Sequence, residues 1–194
     1  ESVFRSTLRF GCGAMAAAVG LVAVPAQAAF HLNGIEELYT DSSGTLQYIQ
    51  LFSSSSTQQF VGGQQIAVSN VGNTQTHILT LPGNLPGDTL NKHWLIGTAG
   101  IDAAGGPAPD FIMPDNFLFL GGGTIAFFGP DSGPYSALPT DGTLAREFGT
   151  SNNVPNVAEN FAGQSGSVVV PEPATVSALA IGLGLLVSRR RVSA

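Results

Sequence analysis

The sequence predicts an all-β fold, a β-sandwich of about seven short strands, set between two termini that belong to no folded domain. Three observations lead there. Helical periodicity is weak throughout residues 29–169, and Gly, Pro, Ser, Thr and Asn interrupt the chain every several residues. Between these breakers lie short runs rich in β-branched and aromatic residues, at 35–40, 45–52, 64–69, 76–81, 93–98, 116–120 and 124–128. Asp41-Ser42-Ser43-Gly44 separates the first two runs, and reads as a hairpin turn in which Gly supplies a positive φ. Seven short strands at this spacing fit two packed sheets.

Within the second run, Leu46, Tyr48 and Phe52 share one face while Ile49 and Leu51 crowd the other. A strand that is apolar on both faces is expected to be covered on both sides. Residues 100–116 and 129–160 read as loop-rich, and 165–170 as a last strand running into the C-terminal tail.

Charge is distributed unevenly. Residues 29–169 carry two basic side chains, Lys92 and Arg146, against eleven acids, a net of −9, whereas the whole chain is only −6. Phosphate backbones need clustered Lys and Arg to displace counterions, so nucleic acid is excluded as a partner. The one cysteine, Cys12, falls in the N-terminal segment, and Arg9-Phe10-Gly11 before it lacks the residues of a lipoprotein site.

Both ends read as targeting segments. Arg5 and Arg9 precede an apolar stretch, 13–24, too short to span a bilayer, followed by Pro25-Ala26-Gln27-Ala28. That is a signal peptide over 1–28, with Ala26 and Ala28 as the cleavage-site residues. At the other end, over 170–194, Val170-Pro171-Glu172-Pro173-Ala174 leads into an apolar run to Val187 and then Arg189-Arg190-Arg191. The run 174–187 is about 21 Å long as a helix, against ~30 Å of hydrocarbon, so it spans thinly with its arginines snorkelling. Arginines beyond an apolar segment stay cytoplasmic, which puts the domain outside.

This C-terminal order of parts resembles the PEP-CTERM sorting signal of Gram-negative bacteria: a Pro-Glu-Pro motif, a hydrophobic segment and a terminal basic cluster. The resemblance covers about the last 25 residues. It implies recognition by an exosortase, a membrane protease-transpeptidase, at Pro171, Glu172 and Pro173, with Arg189, Arg190 and Arg191 as the basic stop. It also implies export through the general secretion machinery, transient anchoring in the inner membrane, and association with exopolysaccharide and biofilm matrix.

Residues 34–51, with Gly34-Ile35-Glu36-Glu37-Leu38-Tyr39 and Gly44-Thr45-Leu46-Gln47-Tyr48-Ile49-Gln50-Leu51, resemble the opening of lamin-tail-like domains. Leu79-Thr80-Leu81-Pro82 and Trp94-Leu95-Ile96-Gly97-Thr98 fall where that pattern places strands, while Gly63-Gln64 replaces its Gly-Trp. The resemblance fades after about residue 100 and implies an Ig-like sandwich. Fold analogy conveys no function.

Motifs for chemistry are sparse. Asp131-Ser132-Gly133-Pro134 superficially resembles the nucleophile segment of trypsin-like proteases, but no placed His and buried Asp accompany Ser132, so a type I turn is expected. Gly163-Gln164-Ser165-Gly166 lacks the spacing of a nucleophile elbow. Gly121-Gly122-Gly123-Thr124 has neither the Lys nor the helix of a phosphate loop and reads as a flexible connector.

His31, His77 and His93 have no supporting motif, and no metal site is expected at them. Asp102, Asp110, Asp115, Asp131 and Asp141 offer the oxygen ligands calcium favours, but without Asp-x-Asp-x-Asp spacing; solvated loop acids and no cofactor are the expectation, calcium the alternative.

The expected function is therefore a non-enzymatic, exported, exosortase-processed cell-surface or matrix protein with a structural or adhesive role. A carbohydrate- or calcium-binding module contacting ligand through Trp94, Tyr135 and the acidic loops is the alternative, and a secreted hydrolase the third reading.

Overall fold

A computed structural model describes residues 31–127 and 131–170 of the chain. Among them there are only strands, turns and irregular segments. Twelve strands form in chain order: β1 (Asn33–Thr40), β2 (Gln47–Ser53), β3 (Gln65–Asn70), β4 (Thr76–Thr80), β5 (Lys92–Gly97), β6 (Phe111–Ile112), β7 (Gly123–Phe127), β8 (Asp131–Tyr135), β9 (Leu144–Glu147), β10 (Asn153–Pro155), β11 (Ala158–Glu159) and β12 (Ser165–Gly166). The segment 1–28 expected to be a signal peptide, with Cys12, Ala26 and Ala28, lies outside the described residues. So does 171–194, with Pro171, Glu172, Pro173, Arg189, Arg190 and Arg191.

The strands form a six-stranded sheet, β10-β9-β1-β2-β5-β6, a four-stranded sheet, β4-β3-β7-β8, and the short pair β11-β12. The two larger sheets share one core. Ile35, Leu38, Ile49, Leu51, Trp94 and Ile96 from the first meet Ile66, Val68, Ile125, Phe127 and Tyr135 from the second. Every pairing is antiparallel except β5 with β6, which runs parallel.

The turn at residues 41–44 forms as expected. Gly44 sits at φ +73°, and the Asp41 carboxylate accepts from the Thr45 and Leu46 amides at 3.0 and 3.2 Å. In β1 strict alternation fails because a bulge shifts the register between Ile35 and Glu37. One extra residue lets Ile35 and Leu38, three positions apart, enter the same core, while Tyr39 turns to the opposite face.

That opposite face of the six-stranded sheet is also covered. Tyr39, Tyr48 and Leu95 pack there against Ile101, Ala145, Ala158 and Val168. The Tyr39 and Tyr48 rings stack 5.0 Å apart. The two-sided apolar character of β2 follows from this, since its inner residues face the other sheet and Tyr48 faces the cover. Asn156 secures the cover at its end: its amide donates to the carbonyls of Gly142 at 2.7 Å and Val168 at 3.1 Å, and its oxygen accepts from the Val168 amide at 3.0 Å.

Four expectations are corrected. Residues 116–120 form no strand, because their main chain is satisfied sideways. Buried Gln47 accepts from the Leu118 amide at 2.9 Å and donates to its carbonyl at 3.0 Å, while Phe117 and Leu118 plug the core. The loop-rich stretch 129–160 contains β8 to β11. Asp131-Ser132-Gly133-Pro134 is strand β8, not a type I turn. Of 165–170, only Ser165–Gly166 is strand.

Candidate functional site

The residues singled out in the sequence are dispersed by the fold. Ser132, on β8 at one edge of the four-stranded sheet, pairs with Ala126 of β7, whereas His77 lies on β4 at the other edge. His93 belongs to the other sheet altogether. A nucleophile must hydrogen-bond its base, so no Ser-His arrangement arises from these residues.

His77 turns inward. Its ring stacks on Phe119 at 4.5 Å, and Nδ1 meets the Phe117 carbonyl at 2.9 Å. Both aromatic residues expected to meet a sugar are buried. Trp94 is 0% exposed, packed edge-on against Phe111 and Phe127, with its indole N–H donating to Asn33 Oδ1 at 3.2 Å. Tyr135 is 5% exposed; its hydroxyl accepts from the Phe119 amide at 3.0 Å, and burial pushes it up to about 12. Neither can stack on a ligand without the core opening.

The loop acids do not gather either. Asp110 accepts from the amides of Leu95 and Phe161 at 2.8 and 2.9 Å, tying the segment after β11 to β5. Burial raises its carboxyl above the ordinary aspartate value despite those bonds. Asp131 accepts from the Ile35 amide at 3.0 Å, joining β8 to β1. Asp141 accepts from the amides of Thr143 and Leu144, which hold its carboxyl below the usual range. Asp102 and Asp115 are exposed. Among the described residues, no three of His, Cys, Asp and Glu converge on a point where a metal could sit.

One polar cluster was not visible in the sequence. The β1 bulge turns Glu36 toward His93 of β5, whose Nε2 lies 3.0 Å from Glu36 Oε2. On the other side of the ring, Nδ1 lies 3.3 Å from Glu159 Oε2 of β11. The Phe52 ring sits 5.0 Å away. Beside the cluster, a shallow groove is lined by His31, Leu32, Gly34, Glu36, Phe52 and Asp131, among others.

The ring meets a carboxylate at each nitrogen and so joins β1, β5 and β11 at one side chain. Only long-range folding places Glu36 and Glu159 around one ring, so spacing gave no signal of it.

Glu37, next along β1, is half-buried. Desolvation raises its carboxyl above the ordinary glutamate value of 4.5, opposed by the Tyr48 hydroxyl donating at 3.2 Å; Glu36 and Glu147 add repulsion, and His93 opposes it. Glu147 lies directly opposite Glu37 on β9. A carboxyl raised on folding favours the fold below its unfolded value, and loses that contribution as pH climbs through its folded value. Glu37→Gln should therefore be more stable than the parent near neutral pH, with the difference vanishing below pH 4.5. Thermal melts at the two pH values check this; an advantage equal at both would refute the desolvation account.

Comparison of the chain with protein-family models, curated proteins and solved structures gives no match.

Proposed function

We propose that the chain is an exported protein, sorted by its C-terminal tail and cut by an exosortase. Its domain over residues 29–169 then plays a structural or adhesive, non-enzymatic part at the cell surface or in an exopolysaccharide matrix. One observation carries this reading: Pro171-Glu172-Pro173, an apolar run and Arg189-Arg190-Arg191 follow one another in that order. The topology follows from the arginines, which hold their end in the cytoplasm while the motif lies outside.

The interior chemistry is compatible with a passive role. Trp94, Tyr135 and His77 are used in packing, and Asp110 and Asp131 in joining elements. The carbohydrate-binding alternative loses both of its aromatic contacts. We read the two core-sharing sheets as an Ig-like, lamin-tail-like sandwich; the parallel pairing of β5 with β6 is a departure from that pattern.

The test is processing in the native cell. Glu172→Ala, or deletion of the exosortase, should leave a larger, membrane-retained species in place of the mature one on an immunoblot of fractionated cells. Unchanged size and location in both cases would sink the sorting claim.

A further inference from the structure

We propose that the chain associates with a second copy of itself through strand β4, edge to edge, about a two-fold axis at Ile78. This is independent of how the chain is sorted.

The ladder between β3 and β4 fixes which way the main chain of β4 points. Register pairs residues 65 with 80 through 69 with 76, and the flanking bonds run from the Leu81 amide to the Gln64 carbonyl and from the Asn70 amide to the Gln75 carbonyl. Antiparallel ladders alternate bonded and non-bonded pairs. Residues 75, 77, 79 and 81 therefore turn their N–H and C=O groups to β3. Thr76, Ile78 and Thr80 turn theirs outward, from the edge strand of the sheet.

These outward groups are symmetric about their centre. Thr76-His77-Ile78-Leu79-Thr80 places Thr at equal distance on both sides of Ile78. A second copy laid antiparallel about Ile78 sets Ile78 against Ile78, and Thr76 against Thr80 in each direction. All three pairs then exchange two main-chain hydrogen bonds. The side chains of these residues lie on the solvent face, Ile78 59% exposed, so the seam also matches β-branched residue to β-branched residue.

The other sheet edges carry features that oppose such pairing, whereas β4 has no proline or charge of its own; Pro114 and Asp115 lie beside it, in a hollow that His77 and Ile78 also line. Strand β8 has Pro134 and an Asp131 committed to β1. Strand β6 is two residues long and closely followed by Pro114, and β10 ends in Pro155. Short strands, prolines and charges are how proteins blunt an edge.

Charge selects the same place. The domain is strongly acidic, so two copies repel over most of their surfaces. Strands β3, β4 and β7 contain no Lys, Arg, Asp or Glu. The paired molecules join their four-stranded sheets into one, with a continuous uncharged outer face. A five-residue seam buries little area, so the association is weak and strongly concentration-dependent.

Light-scattering mass of the full-length chain in detergent, over a dilution series, tests this. The parent should pass from one polypeptide to two as concentration rises. Ile78→Lys puts like charges opposite each other on the axis, and should weaken dimerisation about tenfold or more without lowering the melting temperature. Ile78→Pro removes an outward N–H that β3 does not use, and should do the same. Val71→Lys, at an exposed turn residue, should dimerise like the parent.

A parent that stays a single polypeptide at every concentration overturns the proposal. So does a dimer that survives in Ile78→Lys, as association through the tail would. Should the proline variant fail to fold, the lysine variant decides.

Discussion

Replacing Trp94 with alanine should lower the unfolding free energy by about 4 kcal/mol, with little change in denaturant slope. The side chain is wholly buried where the two larger sheets meet, edge-on to Phe111 of β6 and Phe127 of β7, with ring centroids 5.9 Å away in each case. Truncation removes the largest buried apolar surface of β5 and leaves a cavity between sheets that share their framework and cannot close freely. It also deletes the donor to Asn33 Oδ1, an acceptor that Ser53 Oγ also meets. Trp94→Phe should cost less, because it keeps most of the volume and loses mainly the hydrogen bond. The chain has one tryptophan, so unfolding is best followed by circular dichroism in urea. A loss under about 1 kcal/mol would mean that the sheets do not meet over this ring.

Gly123→Ala should be comparably severe, at about 3 kcal/mol or outright failure to fold, whereas Gly121→Ala, two residues earlier, should be nearly neutral. A methyl at Gly123 would overlap the carbonyl oxygen of Ser69, with Asn70 Cα 3.2 Å away. All of these obstacles are main chain of the neighbouring strand, so no side-chain rotation relieves them. The β3–β7 ladder runs through Asn70 opposite Gly123 and Ser69 opposite Thr124, and would have to part there. At Gly121 nothing lies within 4 Å of the added carbon. Melting temperatures of the two variants, side by side, give the comparison; equal values would place β3 and β7 further apart than described.

Gly123 also shows where sequence reading reached its limit. Three consecutive glycines read naturally as a slack connector, yet the third is inside a strand and is needed for the close approach of its neighbour. Strands up to residue 98 were legible because β-branched runs alternate there with turn residues such as Asp41 to Gly44. Strand β8 was not, since Asp131-Ser132-Gly133-Pro134 contains residues that strands ordinarily avoid. An edge position tolerates them: Pro134 can lack its N–H there, and Asp131 uses its carboxylate on the Ile35 amide.

At 116–120 the reverse holds: apolar, aromatic composition favours a strand, and none forms. Gln47 satisfies Leu118 from 71 residues away, which no local pattern reveals. For the same reason the Glu36–His93–Glu159 cluster was invisible, while Trp94 and Tyr135 looked available for a ligand. A sequence shows that an aromatic residue is present, not which side of it meets water.

The cover over the outer face of the six-stranded sheet has a consequence for the order of assembly. A ribosome delivers Tyr39, Tyr48 and Leu95 early and Val168 late, and these residues belong to one apolar cluster. Without the final stretch this cluster lacks Val168, and without residue 159 the main chain there lacks its bond to Gln50, 109 positions earlier. The cover is therefore completed only when almost the whole length of the domain is present.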